Sequence, residues 1–99
     1  MMEPIQIYLG SPQKNALQVY VVPKNSRATI KQMILTNTTE TDAKITMTVN
    51  TVDIMKDYVV KANGTEIIPL SVVLTEGNTL YLQQEKTNAI NVLISGGLE

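Results

Sequence analysis

Apolar residues recur at every second position in several short stretches of this chain, and turn formers separate the stretches at intervals of roughly 8–12 residues, the spacing of a β-sandwich or barrel. No stretch shows helical periodicity. The first strand reads Ile5–Leu9 and stops at Gly10-Ser11-Pro12, where proline fixes φ and withdraws a ladder donor. Leu17–Val22 is the second, closed by Pro23-Lys24-Asn25-Ser26. From Arg27 to Leu35, Ala28, Ile30 and Ile34 alternate with Thr29, Lys31 and Met33, while Leu35 brings apolar character to both faces, as in a central strand. The cleanest alternation follows, with Ile45, Met47 and Val49 on one face and Lys44, Thr46, Thr48 and Asn50 on the other.

The loop between these two runs, Thr36-Asn37-Thr38-Thr39-Glu40-Thr41-Asp42, is wholly polar, and its short oxygen-bearing side chains favour turns over regular structure. It is expected to join two antiparallel strands. Short strands at Val52–Ile54 and Tyr58–Lys61 flank a turn around Met55-Lys56-Asp57. Asn63-Gly64 tolerates positive φ at both turn centres, so a tight hairpin or a corner leads into Thr65–Leu70. Pro69 lacks an N–H and places Ile67–Leu70 at an edge, a strand end or a bulge. Val72–Leu74, the Glu76-Gly77-Asn78 turn, Thr79–Gln84 and Ala89–Ser95 complete about eight strands. Such strands hide their apolar faces against one another, which predicts an all-β, two-sheet antiparallel sandwich with Greek-key wiring of the jelly-roll or immunoglobulin-like type.

Composition agrees with that pattern. Valine and isoleucine number ten each, threonine twelve and tyrosine four, the types that fit a pleated, half-buried surface. At 99 residues the chain closes one core, so residues 1–97 are expected to form a single domain, and Leu98-Glu99 after Gly96-Gly97 reads as a cloning remnant. Phenylalanine and tryptophan are absent, so that core is aliphatic, completed by Met33, Met47 and Met55. The N-terminal stretch has neither the basic nor the apolar region of a signal peptide, and no apolar run is long enough to span a bilayer as a helix.

Charge and chemistry narrow the function. Eight basic against nine acidic residues leave a net charge of -1, which argues against nucleic acid and anionic membrane as partners. With no histidine or cysteine, thiol nucleophiles, imidazole bases and the usual zinc sites are excluded. Carboxylates remain: Asp53 with Asp57, or Glu76 with Glu85, are the pairs a glycosidase-like reaction would need, and Asp53, Asp57 and Asn63 the set for a hard cation, although no calcium-loop pattern is present. Tyr8, Tyr20, Tyr58 and Tyr81 would form a stacking platform for a sugar if exposed, but each falls within a strand, where packing is the commoner fate. The expectation is therefore of no catalytic residue, no metal and no cofactor. Open sheet edges and low charge favour homo-oligomerisation, with Thr36, Asn37, Thr38, Thr39, Asp42, Asn63 and Gly64 as the loop residues expected to make contact.

The stretch YVVPKNSRATIKQMILTNTTETDAKITMTVN, with a Val-Pro turn, a strand ending near an Asn-Thr loop and an alternating strand, resembles the opening of small virion proteins of tailed bacteriophages and prophages. Ile68-Pro69-Leu70, Val73-Leu74, Glu76-Gly77-Asn78-Thr79-Leu80 and Asn88–Gly96 resemble their close, and the likeness covers about residues 19–96. It implies a non-catalytic head, neck or tail accessory protein, made in the bacterial cytoplasm, located in the virion and bound to copies of itself and to other virion subunits. The alternative is a carbohydrate-binding or host-receptor-binding module.

Overall fold

Residues 2–99 are described by the structure, a computed structural model, in which the strand signals resolve into eight strands. These are β1 (Glu3–Gly10), β2 (Leu17–Val21), β3 (Ala28–Asn37), β4 (Ala43–Val49), β5 (Val52–Val60), β6 (Thr65–Leu74), β7 (Thr79–Gln84) and β8 (Ile90–Leu98). They form two four-stranded antiparallel sheets, the first in the order β1-β8-β3-β6 and the second in the order β2-β7-β4-β5. Only β4 and β5 are consecutive strands of one sheet; every other connection crosses between sheets. This is jelly-roll wiring, so the immunoglobulin-like alternative falls away.

Several local expectations are corrected. The Thr36–Asp42 loop carries the chain from the first sheet to the second, so β3 and β4 are not paired. Val52–Ile54 and Tyr58–Val60 are one strand, with Lys61 just past its end, because the intervening residues are absorbed as bulges: register shifts flank Met47, and Asp57 takes φ 50 while its N–H donates to Thr46 Oγ1 at 3.0 Å. Ile67–Leu70 and Val72–Leu74 likewise fuse into β6, an edge strand in which Pro69 sits beside a bulge. The Asn63-Gly64 signal makes a corner between sheets, where the Gly64 N–H donates to the Lys61 carbonyl at 2.9 Å and Asn63 alone takes positive φ. Leu98 belongs to β8 and packs on the core, and Arg27 and Glu99 exchange backbone hydrogen bonds of 2.8 and 2.9 Å, so the C-terminal dipeptide set aside from the fold is part of it.

The core lies between the sheets and is aliphatic throughout. Ile30, Met33, Leu35, Val92 and Ile94 point inward from the first sheet and meet Ile45, Met47, Leu80 and Leu82 of the second; all are buried. Met55 is half-buried against this layer. Each such side chain contributes about 1.5–3 kcal/mol relative to exposure, which makes this layer the main source of stability.

Two bulges at one level of β8 decide which side chains reach that layer. Opposite Ser95, β3 carries Lys31 as an extra residue, and β1 carries Ile7. An extra residue exchanges the two faces of every position beyond it. Beyond Lys31, Met33 and Leu35 turn inward and Ile34 outward, which corrects the grouping of Ile34 with Ala28 and Ile30. Beyond Ile7, half-buried Tyr8 packs on the core and Leu9 is left 62% exposed. Gly96 lies at this level because a Cβ there would meet the carbonyl oxygen of Thr29.

Met33→Ala is expected to cost about 2–4 kcal/mol in urea unfolding, against about 1 kcal/mol or less for Ile34→Ala. The opposite order would mean that β3 has no bulge at Lys31.

Candidate functional site

The two loops singled out in the sequence do meet, at one end of the sandwich. The Asn37 N–H donates to the Gly64 carbonyl at 2.9 Å, Asn63 N–H to the Thr39 carbonyl at 3.0 Å and Ala62 N–H to Asp42 Oδ1 at 3.0 Å. The Thr36 and Thr65 hydroxyls lie 3.3 Å apart. Asn37 ties the cluster together. It is buried, its Nδ2 donates to the carbonyls of Thr41 (2.8 Å) and Val60 (3.0 Å), and its Oδ1 accepts from the N–H and hydroxyl of Thr39 (2.9 and 2.7 Å). Gln84, also buried, pins the same end: its Nε2 donates to the Pro12 carbonyl and its Oε1 accepts from Ile90 N–H at 2.8 Å. Asn37 is thus a structural pin, and Thr39, half-buried, helps to hold it; Thr38, Asp42 and Asn63 are exposed. Asp42 spends its carboxylate on Ala62 N–H and on Lys61 Nζ at 3.6 Å. The polar groups of this cluster serve the corner between the sheets.

The carboxylate pairs do not converge. Glu76 and Glu85 lie beyond opposite ends of β7, roughly 20 Å of strand apart. Asp53 is exposed and accepts from Thr48 Oγ1 at 2.7 Å. Among the described residues there is no cluster of three acids placed to hold a metal. Tyr8, Tyr20 and Tyr58 pack on the core, and half-buried Tyr81 donates to Gln18 Oε1 at 3.3 Å, so no row of stacking rings is presented. Burial pushes the Tyr8 and Tyr20 hydroxyls above the ordinary tyrosine value.

The solvent-facing sides of the two sheets differ in kind. Across the second, paired positions place Gln18, Tyr81, Thr48 and Asp53 in one row, joined at both ends by the Tyr81–Gln18 and Thr48–Asp53 hydrogen bonds. Across the first, Leu9 pairs with Leu93, Leu93 with Ile34 and Ile34 with Ile67. Leu9 and Ile67 are 62% and 60% exposed, and Leu93 and Ile34 are half-buried without packing on the core. The row is a continuous apolar stripe over all four strands. Beside it a shallow depression is lined by Met2, Gln6, Lys31, Gln32 and Ser95. The row was missed in the sequence because its residues come from strands far apart in the chain, and two of them reach this face only through the bulges.

No family model and no curated protein matches the chain. Among solved structures, the chain is similar to the Drosophila NLP core, whose crystal structure is described as providing insight into pentamer formation and histone binding; the TM-score is 0.61 at 16% identity, covering 96% of this chain and 99% of that one. The likeness shows a shared fold. It also corrects the virion reading: the fold is shared with an insect protein described in quite different terms, so the sandwich is not the mark of a phage component. The expected virion role and location, the virion partners and the host-receptor alternative are set aside.

Asn37→Ala takes the side-chain partner from the Thr39 N–H and the buried Val60 carbonyl and is expected to cost about 2–3 kcal/mol, against about 1 kcal/mol or less for exposed Thr38→Ala, read by thermal and urea unfolding. Folding raises the pKa of Tyr8 and Tyr20, so the folded chain holds those protons more tightly than the unfolded one, and their contribution is complete below about pH 10 and lost as pH climbs through the raised values. The melting temperature should therefore fall in the alkaline range above pH 10, and the combined Tyr8→Phe and Tyr20→Phe variant should show a shallower fall.

Proposed function

We propose that this chain is a non-catalytic β-sandwich that works by binding copies of itself. The observation that carries the reading is the placement of exposed apolar surface. Among the described residues the exposed large hydrophobics are Leu9, Val21, Val52, Ile54, Val59, Ile67 and Val73. Every one lies on an edge strand, β1, β2, β5 or β6, and none on the four inner strands. Edge strands already present unpaired N–H and C=O groups, and proteins that remain solitary usually blunt such edges with charge, proline or cover. Here proline blunts β1 and β6 at single positions while valine, isoleucine and leucine occupy others, a composition that favours contact.

Two further facts support this. The low net charge offers little repulsion between copies. The fold is shared, over nearly the whole length of both chains, with a core described for pentamer formation. Histone binding is said of that core; here basic and acidic residues nearly balance, so the chain lacks the acid excess a strongly basic partner calls for, and the reading stops at self-association.

Light scattering coupled to size-exclusion chromatography tests it. At tens of micromolar the mass is expected to be a discrete multiple of 10.9 kDa. A mass equal to one chain at every concentration overturns the proposal.

A further inference from the structure

We infer that two copies of this chain pack face to face about a two-fold axis, each covering the other's first-sheet outer surface, an inference that rests on the self-association reading above. Among the described residues, that surface alone carries a continuous exposed apolar row. Leu9, Leu93, Ile34 and Ile67 cross all four strands, and exposed Val73 lies on the same face of β6. The remaining exposed hydrophobics are dispersed: Val21 and Val59 stand on opposite edges of the second sheet, Val52 pairs with Val49 on its core side, and Ile54 is the extra residue of a bulge. A chain with one such surface buries it on both partners by joining like to like, which is the isologous contact of a two-fold dimer.

Size and charge fit this pairing. The face is about 19 Å wide over four strands and about 23 Å long from Thr29 to Thr36, so two copies pressed together cover about 900 Å² before side-chain relief is counted, close to the roughly 1,000 Å² a specific contact needs. Among the outward positions of the first sheet, Lys31 is the one formally charged residue, so the contact desolvates little charge. Lys31 also fixes the direction of the axis. An axis along the apolar row sets each residue of the row opposite its own copy and carries the two Lys31 side chains to opposite sides of it, about 13 Å apart along the strands, beyond the roughly 8 Å screening length of physiological salt. An axis along the strands would instead leave the two lysines facing each other across the contact, about one strand spacing out of line. Ser95 and Gln32 lie two residues to one side of the row and Asn91 and Thr36 two residues to the other, so the favoured axis lays amide and hydroxyl over amide and hydroxyl. The strands of the two copies then stay nearly aligned, one of the two favoured packings of β layers.

Charge swapping at Leu93 tests the symmetry, because in this two-fold contact Leu93 of one copy meets Leu93 of the other. The wild type is expected to show twice the 10.9 kDa mass of one chain by light scattering. Leu93→Glu alone and Leu93→Lys alone should each run as a single chain, since like charges then face each other; mixed one to one, they should form a two-chain species in which the facing charges are opposite. Val59→Glu, on the outward side of the second sheet, should leave the dimer intact. Circular dichroism confirms that each variant is folded, and the exposed pair Ile67→Glu and Ile67→Lys repeats the swap should half-buried Leu93 not tolerate a charge. A wild-type chain that is itself monomeric overturns the self-association reading and this inference together. A multimer with an odd number of chains, a Leu93→Glu variant that assembles unchanged, a Val59→Glu variant that dissociates, or mixed variants that stay single overturns the two-fold contact alone.

Discussion

A β-strand can commit only alternate residues to a core, and this sandwich depends on where that rule is interrupted. At Ser95 of β8 both neighbouring strands gain a residue, Lys31 on one side and Ile7 on the other. The interruption sends Met33, Leu35 and Tyr8 toward the aliphatic layer and leaves Ile34 and Leu9 pointing away from it. The core and the outer apolar row are therefore products of the same two insertions. Bulges of this kind bend and twist the strands that carry them, and Gly96 lets β8 approach the Thr29 carbonyl closely enough for the sheet to tolerate the distortion.

The consequence is a molecule with two unlike faces. The second sheet shows water a polar row whose end pairs are hydrogen-bonded within the chain, whereas the first shows leucine and isoleucine on all four strands. At the loop end, Asn37 and Gln84 are buried amides whose hydrogen bonds tie crossing connections to strands, and among the described residues no buried side-chain polar atom is left without a partner. The polar chemistry of the chain is thus largely occupied with holding corners. What remains available for contact is apolar and lies on the edges and on one sheet face, which is why the functional reading rests on association.

Much of the fold was legible. Ile45, Met47 and Val49 alternate with lysine and threonine without interruption, and all three pack where that pattern puts them. Pro69 points to an edge, a strand end or a bulge, since a residue without an N–H has few other places in a sheet, and it lies on edge strand β6 beside a bulge. The core place of Met33 follows from composition, but alternation puts Ile34, not Met33, on the face of Ala28 and Ile30, because a single extra residue leaves no mark in local composition; it is set by pairing with β8, some sixty residues later in the chain. Asn37 reads as an exposed contact residue for a related reason. An asparagine in a polar loop looks the same whether its amide meets water or the Val60 carbonyl, and only the crossing of the sheets distinguishes them. The resemblance to phage proteins rested on turns and strand ends, features of the jelly roll itself, and so carried fold but not function.

The central claim is that the outward face of the first sheet is covered by another copy in solution. Hydroxyl-radical footprinting read by mass spectrometry over a range of protein concentrations measures this at the side chains themselves. Labelling of Leu9, Leu93, Ile34 and Ile67 should fall as concentration rises, while Tyr81 and Gln18 on the second sheet remain as reactive as before. Equal labelling of the first-sheet row at all concentrations, in a chain that is otherwise folded, would contradict the account.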